Sequence, residues 1–338
     1  MNNPAVSLIR SDQSEQWQKI LSDLITDPSE LLRILELDAS TCPYSLEALD
    51  QFPLKAPRPF VARIEKGNWK DPLLIQIWPS KEEDSHSESF VSNPLEEDRF
   101  NPLPGLLHKY HGRVLLTAAP HCAIHCRYCF RRHFDYRANS PSRIQWQAAF
   151  DYIAGDSSIE EVILSGGDPL AIPDRQFLWL LENLAGIEHL RTVRIHTRLP
   201  LVIPQRITAE LLRCLGESRL RVVMVMHCNH AQELDSDVTE GFSMLRDNGV
   251  TLLNQSVVLK DVNDNSTSLI ELSKALFEHG VLPYYLHMPD RVAGTEHFYV
   301  TDQHAKGLID ALHASLPGYL VPKLVRENPG ERGKTRIA

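Results

Sequence analysis

Arg113-Val-Leu-Leu-Thr-Ala-Ala-Pro-His-Cys122-Ala-Ile-His125-Cys126-Arg-Tyr-Cys129-Phe-Arg-Arg132 is the stretch on which the fold turns. It opens with a β-rich run, Arg113 to Ala118, and closes with three cysteines within eight residues, spaced C-x3-C-x2-C. Downstream the same order recurs: a short β-rich run, a polar turn, then an amphipathic run. The predicted strands are Arg113–Ala118, Glu161–Ser165, Thr192–Thr197, Arg221–His227, Thr251–Val258 and Pro283–Met288. The predicted helices are 143–154, 174–184, 208–216, 236–247, 266–279 and 302–315. Six such units in series imply parallel strands joined by helical crossovers. No G-x-G-x-x-G follows the first strand. An open doubly wound sheet and a barrel, complete or partial, both fit this pattern.

In either fold, functional groups belong in the loops at the C-terminal ends of the strands. The unusual polar residues fall there repeatedly. The cysteines follow the first strand, Gly166-Gly167-Asp168 the second, His196-Thr197-Arg198 end the third, and His227 to His230 follow the fourth. Asn254-Gln255 lies in the fifth and Asp290 follows the sixth. Their recurrence at one end of the units argues for one shared site.

Upstream, residues 1–107 have another character. Helical runs are expected at 13–26 and 28–37, with a further run at 44–50, and Asp27-Pro28-Ser29 is a break and restart. Leu73 to Trp78 reads as a strand or a short helix; periodicity does not decide. Acids crowd the polar stretch 81–99, and 81–92 is expected to be a solvated, mobile loop. The role of residues 1–60 is not legible beyond a helical cap on the sheet.

The 338 residues suggest one to two domains, with 43% apolar and 23% charged residues, ordinary globular usage. The formal charge of −9 makes nucleic acid or an anionic membrane a poor default partner. No run is apolar enough to span a bilayer, and Met1 to Arg10 lacks a signal pattern, so a cytoplasmic location is expected. Cys42, Cys214 and Cys228 are scattered. Three clustered cysteines in a reducing compartment suit a metal site better than a disulfide framework. Thiolates select zinc, copper(I) or iron–sulfur clusters. A structural zinc needs a fourth ligand, which His121 or His125 would have to supply. A [4Fe–4S] cluster held by three thiolates keeps one iron open to another ligand.

The motif, with an aromatic residue before its last cysteine, resembles that of the radical S-adenosylmethionine (SAM) family. The resemblance narrows through His108-Lys-Tyr110, Cys129-Phe-Arg-Arg132, Ser165-Gly-Gly-Asp-Pro-Leu170, Arg194-Ile-His-Thr-Arg198 and Asn229-His230. Asn254-Gln-Ser-Val257, Pro283-Tyr-Tyr285, Gly318-Tyr-Leu-Val-Pro322 and Gly333-Lys-Thr335 continue it. In this order, over about 60–338, these are similar to the lysine 2,3-aminomutases, in particular the short branch that makes (R)-β-lysine for elongation factor P.

The resemblance implies an α/β fold: a partial (β/α)6 barrel over 108–300, an N-terminal mainly helical extension over 1–107, and a C-terminal helix and tail over 301–338. It implies a [4Fe–4S] cluster on Cys122, Cys126 and Cys129, with SAM near Gly166, Gly167, Asp168, His230 and Gln255. It implies pyridoxal 5′-phosphate (PLP) on Lys334, on a flexible tail, with Lys109, Tyr110 and Arg113 for the phosphate. The family commonly has arginine at the position of Lys109, so one bidentate fork is replaced by a point charge. Arg131 would clamp the α-carboxylate of L-lysine, and Asp290 and Glu327 its ε-ammonium; Glu327 stands where aspartate is usual. The implied partners are a flavodoxin- or ferredoxin-type one-electron reductant and an elongation factor P ligase that receives the product. Three alternatives are an aminomutase for another amino acid such as glutamate, a zinc-stabilised binding module, and an RNA-modifying relative. Asp290 and Glu327 speak against the first, and the acidic charge against the last.

Overall fold

Alternation of side chains decides the layers. In β4 (Thr192–Thr197), Val193, Ile195 and Thr197 are buried, while Arg194 and His196 are half-buried. In β6 (Thr251–Val257), Leu252, Asn254 and Ser256 are buried against half-buried Leu253, Gln255 and Val257. Successive strand residues point to opposite faces. One face therefore packs under helices, and the other lines a lumen that the solvent still reaches.

The computed structural model describes residues 16–41, 44–85, 87–135 and 141–338. Among them, β1 (Leu106–Tyr110), β2 (Arg113–Ala119), β3 (Glu161–Gly166), β4, β5 (Arg221–Met226), β6, β7 (Leu282–His287), β8 (Lys323–Arg326) and β9 (Thr335–Arg336) form one sheet in sequence order. Strands β2 to β8 are parallel; β1 and β9 are antiparallel hems. The edge strands do not pair with each other, so the curved sheet is a partial barrel. The six predicted parallel strands are β2 to β7.

The crossover helices start where their caps say. Ser142 and Gln145 form a capping box on Arg143–Ala154. Thr208, Asp235, Asn265 and Thr301 each accept a backbone N–H at the start of Ala209–Gly216, Ser236–Asp247, Ser266–Glu278 and Asp302–Ser315. The apolar faces of the first four, with Phe177 of Asp174–Ala185, join the helix-facing sheet residues in a core that includes Phe150, Leu211, Phe242, Val193 and Met224, while Asp302–Ser315 packs in a second cluster with Leu286 and Leu324. The same core takes in Trp17, Leu31, Phe60, Leu73 and Ile77 from the N-terminal region.

One open reading is decided and two expectations change. Leu73–Trp78 is no strand: Pro72–Ile75 is a helical turn, with Asp71 Oδ1 accepting the N–H groups of Leu73 and Leu74. The tail carrying Lys334 is not free, because Thr335–Arg336 pairs with Val325 and Arg326. Segment 81–92 is largely exposed, yet Glu83 is buried between Arg127 and Arg132. Two guanidinium groups are reason enough for one acid of an acidic run to turn inward. Residues 13–15 of the first predicted helix, Cys42 and Met1 to Arg10 lie outside the described residues; the helix is seen over 16–22.

Candidate functional site

The cysteine loop leaves β2 and is fastened on three sides. Asp168 N–H donates to His121 O at 2.9 Å and Gly167 N–H to Ala119 O at 2.8 Å. A Cβ on Gly167 would lie 2.2 Å from His121 O, so glycine is required for the loop to lie on the end of β3. Gly166 has φ +111°, and a Cβ there would meet Thr117 and Ala119 at under 3 Å. The close approach that these glycines allow is thus made, in this structure, by the cysteine loop itself. From the N-terminal region, His125 N–H donates to Lys55 O and Arg127 N–H to Gln76 O.

Arginines complete the fastening. Arg127 Nε and Nη2 reach both oxygens of Glu83 at 2.7 and 2.6 Å, and Arg132 Nη2 adds 2.7 Å. Arg131 makes a two-bond fork to Glu97, at 2.9 and 2.8 Å, and sends Nη1 toward Ser165 Oγ and Gly166 O, each at 3.3 Å. Its guanidinium lies between the rings of Phe130 and Phe134.

Cys122, Cys126 and Cys129 are free thiols and half-buried. Burial, and then Cys126 beside it, push Cys129 up to about 11. Burial, then Cys129, also raise Cys122. Neighbouring thiols that hinder one another's ionisation are relieved by positive metal charge placed among them. Among the described residues, no three His, Cys, Asp or Glu side chains converge on a point that one ion could fill. A single zinc draws its ligands to about 2.3 Å, so the thiol set fits a multi-iron group better.

Asp168 is buried and fully engaged. Oδ1 accepts from Leu170 N and Thr197 Oγ1, Oδ2 from Arg198 N and Leu199 N, at 2.7 to 3.0 Å. It ties the end of β3 to the end of β4. His230 caps the turn Ala231–Glu233 through Gln232 N, and burial lowers its pKa. Gln255 is half-buried on β6, opposite Tyr285 of β7. Among the described residues neither His230 nor Gln255 hydrogen-bonds to Cys122, Cys126 or Cys129.

A network that sequence reasoning left without a role lies between them. Arg198 is buried and donates Nη1 to Cys126 Sγ at 2.7 Å and Tyr128 Oη at 2.8 Å. Its Nη2 reaches Gln76 Oε1 at 2.7 Å and Glu233 Oε2 at 2.9 Å. Tyr128 Oη also accepts from Asn229 and meets His227 Nε2 at 2.9 Å. Burial, then the Arg198 charge, push His227 down to about 3, so it is neutral here. The signals for this network were the HTR run at the end of β4, the Cys126-Arg-Tyr128 motif and His227 to Asn229; Gln76 and Glu233, 122 and 35 positions from Arg198, carried none.

At the far side of the lumen, Glu327 follows β8. Oε1 accepts from Lys109 Nζ at 2.6 Å and Oε2 from Lys334 Nζ at 2.9 Å. Burial would raise the Glu327 pKa, but the two ammonium charges outweigh it and hold the carboxylate ionised. Lys109 reaches Glu327 from β1, and β9 holds the chain beside Lys334, so two hems of the sheet supply the pair. Lys334 Nζ lies 5.8 Å from the centre of the Tyr285 ring. Tyr110 Oη is buried near the Glu327 carboxylate, and Arg113, stacked 4.8 Å over the Tyr110 ring, has no ion pair among the described residues. A buried hydroxyl, a guanidinium without an ion pair and a lysine suit a phosphate group.

Asp290 stands between the two sides. Its carboxyl has no hydrogen bond among the described residues. Burial, then the charge of Glu327, push it up to about 7, with Glu97 adding and Lys334 and Lys109 opposing. Lys334, Arg131 and Glu327 all act on His196, whose buried Nε2 lacks a partner among the described residues. Thus Arg131, Asp290, Glu327, Lys334 and Lys109 share one electrostatic neighbourhood.

Residues 116–272 match the radical SAM superfamily. Over 330 residues the chain is 48% identical to an L-lysine 2,3-aminomutase of Escherichia coli K12, covering 97% of this chain and 96% of that one. An L-lysine 2,3-aminomutase of Haemophilus influenzae is 48% identical over 99% of this chain and 98% of its own. One from Clostridium subterminale is 36% identical over 82% and 67%. Among the described residues no helix is long and apolar enough to cross a membrane.

Proposed function

Because this chain belongs to the lysine 2,3-aminomutase family of radical SAM proteins, and so to the isomerases, we propose that it converts L-α-lysine to (R)-β-lysine, moving the amino group from C2 to C3. When bound, the [4Fe–4S] cluster and SAM supply a radical able to abstract hydrogen, and PLP supplies a π-system for the migrating nitrogen. Cys122, Cys126 and Cys129 hold the cluster. Gly166, Gly167, Asp168, His230 and Gln255 form the SAM side. Lys334 carries PLP, with Lys109, Tyr110 and Arg113 at its phosphate.

The observation that carries this reading is the placement of Asp290. It has a carboxyl with no partner of its own, flanked by Glu327 with its two lysines and by Glu97 with Arg131. A substrate with a carboxylate at one end and an ammonium at the other matches a pocket with Arg131 at one end and two acids at the other. Glu327 already serves as an ammonium receptor, and its two lysines are held by single Nζ–O contacts that can exchange. The half-buried lumen lets the substrate enter while keeping C3 away from bulk water. The reductant is of flavodoxin or ferredoxin type, and the product passes to a ligase that modifies elongation factor P.

The test is anaerobic. The chain is reconstituted with iron and sulfide, given SAM, PLP, reductant and L-lysine, and assayed for β-lysine by chromatography with mass detection. The wild type forms β-lysine and Lys334→Ala forms none while still cleaving SAM. SAM cleavage without β-lysine in the wild type would remove lysine as the substrate. A folded protein that takes up no iron would remove the radical reading altogether.

A further inference from the structure

We propose that Arg198 is a positioning residue for the cluster: its guanidinium, locked by Glu233 and Gln76, donates to the Cys126 sulfur and raises the cluster's reduction potential. The inference rests on the reading that Cys122, Cys126 and Cys129 hold a [4Fe–4S] cluster. Three observations support it.

First, the contact is direct: Nη1 is 2.7 Å from Cys126 Sγ, whereas at Cys129 the arginine donor is the backbone N–H of Arg131 rather than a guanidinium. Second, Arg198 has no freedom to leave. Its backbone N–H is held by Asp168 Oδ2 at 2.8 Å, and its second terminal nitrogen, Nη2, by Gln76 and Glu233. Third, Arg198 and Glu233 are both buried, so their charges are weakly screened. An N–H donor and a fixed positive charge at a cluster sulfur stabilise the form carrying the extra electron, whereas the Glu233 carboxylate opposes it. The pair is thus a cation at the sulfur with its counter-charge one step further out.

This arrangement makes two changes act in opposite directions. Arg198→Gln removes the cation and lowers the potential; Glu233→Gln removes the opposing anion and raises it. Arg198→Lys keeps the charge and lowers the potential less than Arg198→Gln. A purely structural role for the pair has no reason to give opposite signs.

The experiment is an anaerobic titration of the reconstituted full chain with titanium(III) citrate. It is followed by electron paramagnetic resonance, with iron counted for each protein. Each cluster gains one electron as one Ti(III) becomes Ti(IV). The expected result is a fall of about tenfold in the reduction equilibrium constant for Arg198→Gln, ~59 mV for one electron, and a rise for Glu233→Gln. If Arg198→Gln does not hold the cluster, Arg198→Lys and Glu233→Gln decide, by a fall in the first and a rise in the second. Potentials equal to wild type in variants with full iron overturn the inference while leaving the cluster reading intact. A folded wild type without iron overturns both.

Discussion

The two sides of the lumen are built from like charges in unlike ways. At the cysteine loop, Glu83 holds Arg127 and Arg132, Glu97 holds Arg131, and Glu233 holds Arg198, all buried guanidinium–carboxylate pairs. At the opposite side, Glu327 holds two ammonium groups by one contact each, and Lys334 keeps about a fifth of its side chain in solvent. A guanidinium fork fixes direction as well as distance, whereas an ammonium is a point charge that swivels. The first side is made to stay, as a loop carrying a metal group must. The second is made to release a lysine, as a residue that carries a cofactor and yields it to substrate must.

Removing one carboxylate charge from each side is the sharpest way to break this contrast. Glu83→Gln leaves two buried guanidinium groups without a counter-ion and costs about 3–5 kcal/mol. Glu327→Gln costs less, about 1–3 kcal/mol, because Lys334 can turn to water while buried Lys109 loses its counter-ion. Urea unfolding of the two variants at pH 7.5 measures the difference. Equal costs would erase the distinction between a fixed and an exchangeable side.

A smaller effect is expected where the cysteine loop rests on β3. Gly167→Ala puts a methyl 2.2 Å from the His121 carbonyl oxygen, which is backbone and cannot rotate away. Overpacking of this kind costs about 1–3 kcal/mol, and the displaced segment is next to Cys122. Iron retained after reconstitution should fall together with the urea midpoint. Full iron retention in the variant would mean that the loop is held by its arginines alone.

How much of this was legible beforehand follows from the range of the forces involved. The parallel strands and crossover helices were readable because alternation, helical period and capping are local; the capping box at Ser142 and Gln145 lies within four residues. Strands β1, β8 and β9 were not read. They are only five, four and two residues long; β1 and β9 are the sheet's edges, and β8 lies between β7 and β9 with no crossover helix after it. The cysteines were readable by spacing. The residues that fasten their loop were less so, because Glu83 lies in a run of acids between exposed Glu82 and half-buried Asp84. No local pattern distinguishes the one acid that faces Arg127 and Arg132. Arg198 and Gln76 meet across 122 positions, a distance no motif spans.

The smallest effect concerns Asp290, the group between the two sides. Its folded pKa is about 7, against an ordinary 3.8, because it is buried and faces Glu327 and Glu97, with Lys334 and Lys109 opposing. The native state therefore binds this proton more tightly than the unfolded chain. The associated stability is present below pH ~4 and is lost as pH rises through 7. Ligand binding runs the other way, since only the ionised carboxyl attracts the ε-ammonium, which stays charged until about pH 10. The KM for L-lysine should fall as pH rises from 6 to 7, by at most tenfold per unit, and level off above 7.5. Asp290→Asn should raise KM at pH 8 and flatten that slope. Parallel pH profiles for variant and wild type would show that Asp290 does not receive the substrate's ammonium. The exchangeable side would then rest on Glu327 alone.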